Sequence, residues 1–398
     1  MPEVEFLVVG CGPAGGIAAR EAARQGIETL VLERDPVVGP KRVCAAGLRP
    51  GFCEDFHVPR SVVHFDVPII ALHSASGRRY DFPVGPAHTT TREELDGTIA
   101  DLARAEGAEI RTSALFRDLR DTERGVEVEY ADGATGERRR IVAGRVFLAN
   151  GSSARLDGTP FAYPRWNEGL ITCYQYRVYP DSRAADAAYR TLEMHYYVSE
   201  QSGRNVIAWM FPKRDHLSIG LGIMGKVAGK ELRAELDAFM PRVRARLFPA
   251  AAYTVREEGN LLYGGAPRPA IAAGNVMLGG TAAGLVDATT GEGIHEAAAT
   301  GRFAAAAVAA VKRGRTPSAA RHYSRATKGA FHGRLLHRHK LMTFLERRPA
   351  RFDVLFDQLE RTPKFAELLQ HDRNDFTPAQ WAYLYAQAAR FSLRAARA

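Results

Sequence analysis

Six residues near the N-terminus constrain this chain more than any others. Gly10-Cys11-Gly12-Pro13-Ala14-Gly15 lies between an apolar strand-like run, Glu5-Phe6-Leu7-Val8-Val9, and a helix running roughly from Pro13 to Gln25. Glycines in this pattern allow a tight turn, close approach of a pyrophosphate to the backbone, and close packing of helix on strand. Pro13 suits the first helical turn, and Gly26 suits the position just past the helix. A second strand, Thr29-Leu30-Val31-Leu32, ends at Glu33, 18 residues after Gly15. An acidic side chain there meets ribose hydroxyls, and the helix N-terminus offers free N–H groups to phosphates. The pattern predicts a βαβ unit that binds a dinucleotide.

The rest of the chain must supply the remaining layers. At 398 residues, 46% hydrophobic and 25% charged, it has the composition of a globular protein of two to three domains, not of a disordered or collagen-like chain. No apolar run approaches the ~20 residues of a membrane span. The N-terminus opens on a strand with no basic leader or cleavage site, so a cytoplasmic protein is expected. Cys11, Cys44, Cys53 and Cys173 form no CxxC, which fits a reducing compartment and predicts neither a disulfide nor a zinc framework. His332, His337 and His339 do not share one helical face, and no metal site is expected. The net charge is +9; from Arg321 to the end, 15 Lys and Arg against 7 Asp and Glu account for +8 of it. A basic tail is most simply a solvated helical face. It also suits an anionic membrane or a phosphorylated ligand. No nucleic-acid motif accompanies it, and nucleic acid is not an expected partner.

Arg92 to Gly107 has helical periodicity, and runs at 125–130 and 141–148 flank a hairpin signal at Asp132-Gly133 and Thr135-Gly136. Residues 165–225 alternate as an antiparallel sheet does, and Leu232 to Leu247 is helical in pattern. Val276-Met277-Leu278 leads into a second glycine-rich turn and an alanine-rich helix, about Ile294 to Val311. Beyond Thr316 the pattern is helical, broken at Pro349, Pro363 and Pro378. The predicted fold class is α/β plus antiparallel β. A Rossmann-like FAD-binding domain in discontinuous segments (1–60, 88–160 and 266–315) carries an inserted antiparallel-sheet substrate domain (61–87 and 161–265), and a C-terminal helical tail (316–398) follows. Two glycine-rich strand ends in one chain suit a cofactor as long as FAD.

The order of these segments resembles the para-hydroxybenzoate-hydroxylase-type flavoprotein superfamily, and within it the geranylgeranyl reductase family. The resemblance covers about residues 4–345 and rests on four places: Gly10 to Gly15 with Glu33; Arg42-Val43-Cys44-Ala45-Ala46-Gly47; Ala208-Trp209-Met210-Phe211-Pro212; and Gly280 to Ile294. In the second, Cys44 matches a Cys-Gly-Gly turn beside the flavin while Ala45 and Ala46 replace its glycines. In the third, Ile207 stands where the family has tyrosine. Thr281 and Asn150 each replace an aspartate.

The resemblance implies that FAD is held by Gly10, Gly12, Pro13, Ala14, Gly15, Glu33, Arg34, Cys44, Ala45, Arg92, Gly280, Thr281, Gly291, Gly293 and Ile294. It implies catalytic roles for Cys44 and His295, and a substrate wall of Trp209, Phe211 and Pro212. The bland readings are a buried small cysteine, a helix-start arginine and core aromatics. The activity implied is reduction of isoprenoid C=C bonds in a prenyl lipid, prenyl diphosphate or prenylated pigment, with electrons from NADPH or ferredoxin. Alternatives are a flavin monooxygenase or halogenase acting on an aromatic compound, and a prenyl-binding carrier. Expected partners are the hydrophobic substrate and, through the basic tail, the inner face of a membrane; oligomeric state is left open.

Overall fold

In the computed structural model the described residues are 2–40, 43–153, 156–181, 191–248, 251–370 and 376–397; Arg42 lies outside them. The strand Val4–Val9, almost wholly buried, pairs in parallel with Thr29–Leu32 on one side and Arg138–Leu148 on the other. Glu109–Arg111 and Val276–Leu278 extend this parallel sheet outward. Gly125–Asp132 pairs antiparallel with Arg138–Leu148, as the glycine turn signals between them predict, and Ala114–Thr122 pairs antiparallel with Gly125–Asp132. Helices Pro13–Ala23, Arg92–Ala105 and Ile294–Lys312 pack around it. Gly301 allows the closest approach among them. A Cβ there would sit 2.2 Å from the Ala14 carbonyl oxygen, so Pro13–Ala23 and Ile294–Lys312 touch backbone to backbone.

The second sheet orders its strands Tyr253–Tyr263, Leu170–Pro180, Leu217–Met224, Asn205–Pro212, Thr191–Val198, Phe65–His73, Arg79–Thr89 and Gly47–Leu48. Its pairings are antiparallel apart from Thr191–Val198 with Phe65–His73, which run parallel. Side chains alternate between its faces. Ala208, Met210, Leu221 and Ile223 face the helix Gly229–Leu247. Ile207, Trp209, Phe211, Met194 and Tyr196 face the other way, onto the C-terminal helices.

Those helices are Ala319–Thr327, Gly333–Glu346, Ala350–Arg361, Pro363–Gln370 and Pro378–Ala395. Each expected break is present: Pro349 precedes one helix, and Pro363 and Pro378 open two more. A π turn, Lys328–His332, adds an irregularity that periodicity did not predict; Gly329 and Gly333 lie in and just after it, where the helix is weakest. Met342, Leu345, Phe352 and Phe356 bury themselves against the sheet. None of the described helices is long and apolar enough to cross a membrane.

Candidate active site

Three strand ends converge at the first glycine turn. Gly10 has φ +93°, and a Cβ there would lie 2.7 Å from Ala149 O and 3.2 Å from Asn150 Cα. Gly280, with φ +53°, approaches from the far strand, its Cβ position 3.5 Å from Ala14 Cβ. This is the carboxyl edge of a parallel sheet, where such folds bind ligands. Helices Pro13–Ala23 and Ile294–Lys312 begin at Gly12 and Gly293, and neither has a side-chain cap. Their first N–H groups are therefore available to phosphates or polar ring atoms. Glu33 is held at the turn: its carboxylate accepts from Cys11 N (2.7 Å) and Asp35 N (3.0 Å). Arg34, by contrast, is exposed and pairs with Asp35 at 3.6 Å.

Arg92 is buried. Its guanidinium grips Asp96 at 2.9 and 2.5 Å and lies 3.2 Å from where a Gly12 Cβ would sit. A side chain at position 12 would fill the gap between turn and guanidinium, and the bare glycine keeps it open. The bare turn, two uncapped helix starts and a positioned carboxylate fit the phosphates and ribose of a dinucleotide. Arg92 Nη1 also reaches Cys44 Sγ at 3.9 Å.

Cys44 sits in a bent segment. Val43 and Ala46 have φ +56° and +49°, left-handed conformations that cost an L-residue about 1–2 kcal/mol each. Ala46 thus keeps the conformation that glycine would take at no steric cost. The segment is held from below by Lys213, whose Nζ donates to Ala45 O (2.6 Å) and Ala46 O (3.1 Å). Thr90 N also donates to Ala46 O, at 3.0 Å. The Phe211 ring supports the same segment, occupying the space a Gly47 side chain would need. Residues 209, 211 and 213 share one face by strand alternation, so Trp209, Phe211 and Lys213 point toward the Cys44 segment; Pro212 falls out of phase with them.

Gln175 orders this face. Its Oε1 accepts from Trp209 Nε1 (3.2 Å) and Ser218 Oγ (2.8 Å), and its Nε2 donates to Glu258 (3.0 Å). Arg177 bridges Glu258 (2.9 Å) and Glu93 (2.6 Å). Cys44, Thr91, Arg177, His216 and Lys213 line a small cavity between sheet and turn. Burial lowers Lys213 to about 7, against a smaller opposing pull from Cys44. Burial also lowers His216 to about 4, so it is neutral in this cavity.

His295 goes elsewhere. Its ring packs on Phe56 (5.2 Å) and Phe52 (6.4 Å), and it is not among the residues lining the Cys44 cavity. Its neighbour Glu296 is fully buried and binds Arg49 and Arg334, each at 2.6 Å; Arg49 also binds Glu292 at 2.6 Å. Asp287 faces Arg338 at 3.5 Å. Burial works to raise Glu296, and Arg49 and Arg334 more than offset it. In Glu292 burial wins and the carboxyl is raised. This network joins the Gly291–Ile294 turn to the C-terminal helix Gly333–Glu346.

Lys213, Gln175, Arg177 and Arg49 are polar side chains of the candidate site that motif reading passed over. Lys213 had a usable signal: it continues the 209, 211 spacing by one more pleat. Arg49 and Gln175 had none, since their partners lie 247 and 83 residues away.

Comparison with known proteins agrees with this geometry. The chain is 29% identical over 321 residues to the geranylgeranyl diphosphate reductase of Rhodobacter capsulatus, covering 78% of this chain and 76% of that one. It is 29% identical over 325 residues to digeranylgeranylglycerophospholipid reductase 2 of Methanopyrus kandleri, covering 76% of each. Over about three quarters of its length the chain is similar to curated geranylgeranyl reductases. No family model matches the chain. Among solved structures, a geranylgeranyl bacteriochlorophyll reductase-like protein of Thermoplasma acidophilum superposes with a TM-score of 0.77 at 21% identity, over 99% of this chain and 98% of that one. The flavin-dependent brominase Bmp2 superposes at 0.73 and 17% identity, over 97% and 99%. The chain therefore shares its fold with a geranylgeranyl bacteriochlorophyll reductase-like protein and with flavin-dependent halogenases and an FAD-dependent monooxygenase.

Proposed function

We propose that this chain reduces isoprenoid C=C bonds of a prenyl lipid, prenyl diphosphate or prenylated pigment, with FAD as cofactor and NADPH or a ferredoxin as electron source. The observation that carries the reading is the joining of two sites by one side chain. Lys213 ties the Cys44 turn, beside the dinucleotide edge, to the Trp209–Phe211 face, beside the apolar C-terminal helices.

Gly10 to Gly15, Glu33, Arg92, Gly280, Thr281 and the Gly291–Ile294 turn hold FAD. Reduced FAD supplies two electrons and one hydrogen to an alkene. Trp209 and Phe211 orient the apolar chain and exclude water. The second alkene carbon needs a proton, and Lys213 Nζ holds one in a place where giving it up removes a buried charge. Cys44 shapes the wall of the same cavity. The last helix supports contact with a membrane: residues 377–398 contain no Asp or Glu, and Tyr385 and Leu393 are 63% and 70% exposed. An acid-free face of this kind lies on anionic bilayers.

The deciding experiment is the absorbance spectrum of the purified protein, followed through anaerobic reduction and addition of geranylgeranyl diphosphate. Reoxidation by the prenyl compound, with loss of its double bonds, is the expected result. A flavin that reoxidises only with oxygen moves the chain to the monooxygenase and halogenase branch. A colourless protein that still binds prenyl lipid is a carrier.

A further inference from the structure

The opposite face of the second sheet carries a cluster that the proposed reaction does not use. His73 ends the strand Phe65–His73 and lies directly across from His195 in the parallel pairing. The two rings stack at 4.1 Å between centroids and 5° between planes. Glu193 is one pleat away on the same face. Its Oε2 lies 3.1 Å from His195 Nε2 and 4.0 Å from His73 Nε2. All three ligand atoms lie within 4.8 Å of one another. His73 Nε2 is buried and has no hydrogen-bond partner, an arrangement that calls for an explanation in a native structure.

We infer that His73, His195 and Glu193 form a binding site for one divalent first-row transition cation of the zinc class. Two imidazoles and one carboxylate are the ligand set such ions take, leaving a position for water. Arg246 now supplies the countercharge, at 2.6 Å from Glu193 and 39% exposed. It can swing into solvent, which gives the ion both an entry path and a carboxylate. Loading requires the stacked rings to splay, because each lone pair lies in its own ring plane. Phe239, edge-on to His195 at 4.9 Å, leaves the opposite ring face toward His73. The other nearby cation, Arg79, is paired with Asp81 at 2.6 Å. Met194 and Tyr196 alternate to the face that meets the C-terminal helices, so the ion would clamp the sheet's parallel strand pair and take no part in the redox step.

Calorimetric titration of the chelator-treated protein with Zn²⁺, and with Co²⁺ followed by its visible absorption, tests the site. One ion per chain is expected, with His73→Gln and His195→Gln each weakening binding about 100-fold and Arg246→Gln tightening it about tenfold. Arg246 is peripheral, so its variant keeps the test informative even if a histidine variant misfolds. Absence of stoichiometric binding overturns the proposal. So do Co²⁺ bands that persist in both histidine variants, or an Arg246→Gln chain that binds no tighter. Flavin content and prenyl reduction are read separately, and their failure leaves this result unaffected.

Discussion

Lys213 is a cation with almost no water, 1% exposed and bonded to two carbonyls. Its unfolded value of about 10.4 falls to about 7 in the native state. Between those values the native chain binds fewer protons than the unfolded one, so stability rises with pH across that window. Below it both states carry the proton, and the burial cost is constant. Wild type should therefore gain melting temperature relative to Lys213→Met as pH rises from 6 to 10. If Lys213 is the proposed proton donor, its acid form is required in turnover, so wild-type kcat should fall as pH rises above about 7. Lys213→Met should lose about 10²-fold at pH 6 and show no such inflection. A Lys213→Met enzyme with the wild-type profile would assign the proton to another group. Sequence reading stopped at Trp209 and Phe211, one pleat short of Lys213. The carbonyls it binds belong to residues 167 and 168 positions away.

At the scale of elements, the two helices that start at Gly12 and Gly293 lean on each other at Gly301. A side chain there would collide with Ala14 O at 2.2 Å and Ala18 N at 2.8 Å. Gly301→Val should cost about 1–3 kcal/mol through overpacking, read as a lower urea midpoint, and should reduce flavin content by shifting the Pro13–Ala23 N-terminus. The glycine turns and helix starts were legible because backbone freedom and capping are local properties. The helix–helix contact was not, since Gly301 lies inside an alanine-rich run that looks uniform in sequence. Arg92 shows the same limit. Its place at a helix start was read correctly, but its grip on Asp96 and its reach to Gly12 and Cys44 depend on how that helix is docked.

Across the whole molecule, the C-terminal helices are fastened to the Gly291–Ile294 turn by buried charge as well as apolar packing. Arg334→Met removes one of two cations from Glu296, which has no exposed surface. Breaking a buried pair of this kind costs about 3 kcal/mol or more, and denaturant unfolding should register it. The pH dependence has a definite sign. Burial opposes ionisation of Asp287, but Arg338 and Thr289 outweigh it and hold the carboxyl below its usual value. Its contribution is therefore present above about pH 4 and lost on acidification. Glu296 behaves likewise. The raised Glu292 works in the other direction, losing stability as it ionises with rising pH. Arg338→Met should shrink the acid-sensitive part of the stability curve, as measured by melting temperature from pH 3 to 6.

Sequence alone settled the βαβ start, the glycine-rich turn after its first strand, the alternating second sheet, the proline-punctuated tail and the reductase resemblance. Each is written in local periodicity, in glycine and proline, or in short motifs. Tertiary structure decided which polar groups meet: Lys213 under the Cys44 turn, Arg49 and Arg334 on Glu296, His73 across from His195, and His295 among phenylalanines. Burial patterns say which face of an element is covered, but not by what. The partner is set by register and docking between segments far apart in the chain, and a buried charge or imidazole takes its chemistry from that partner.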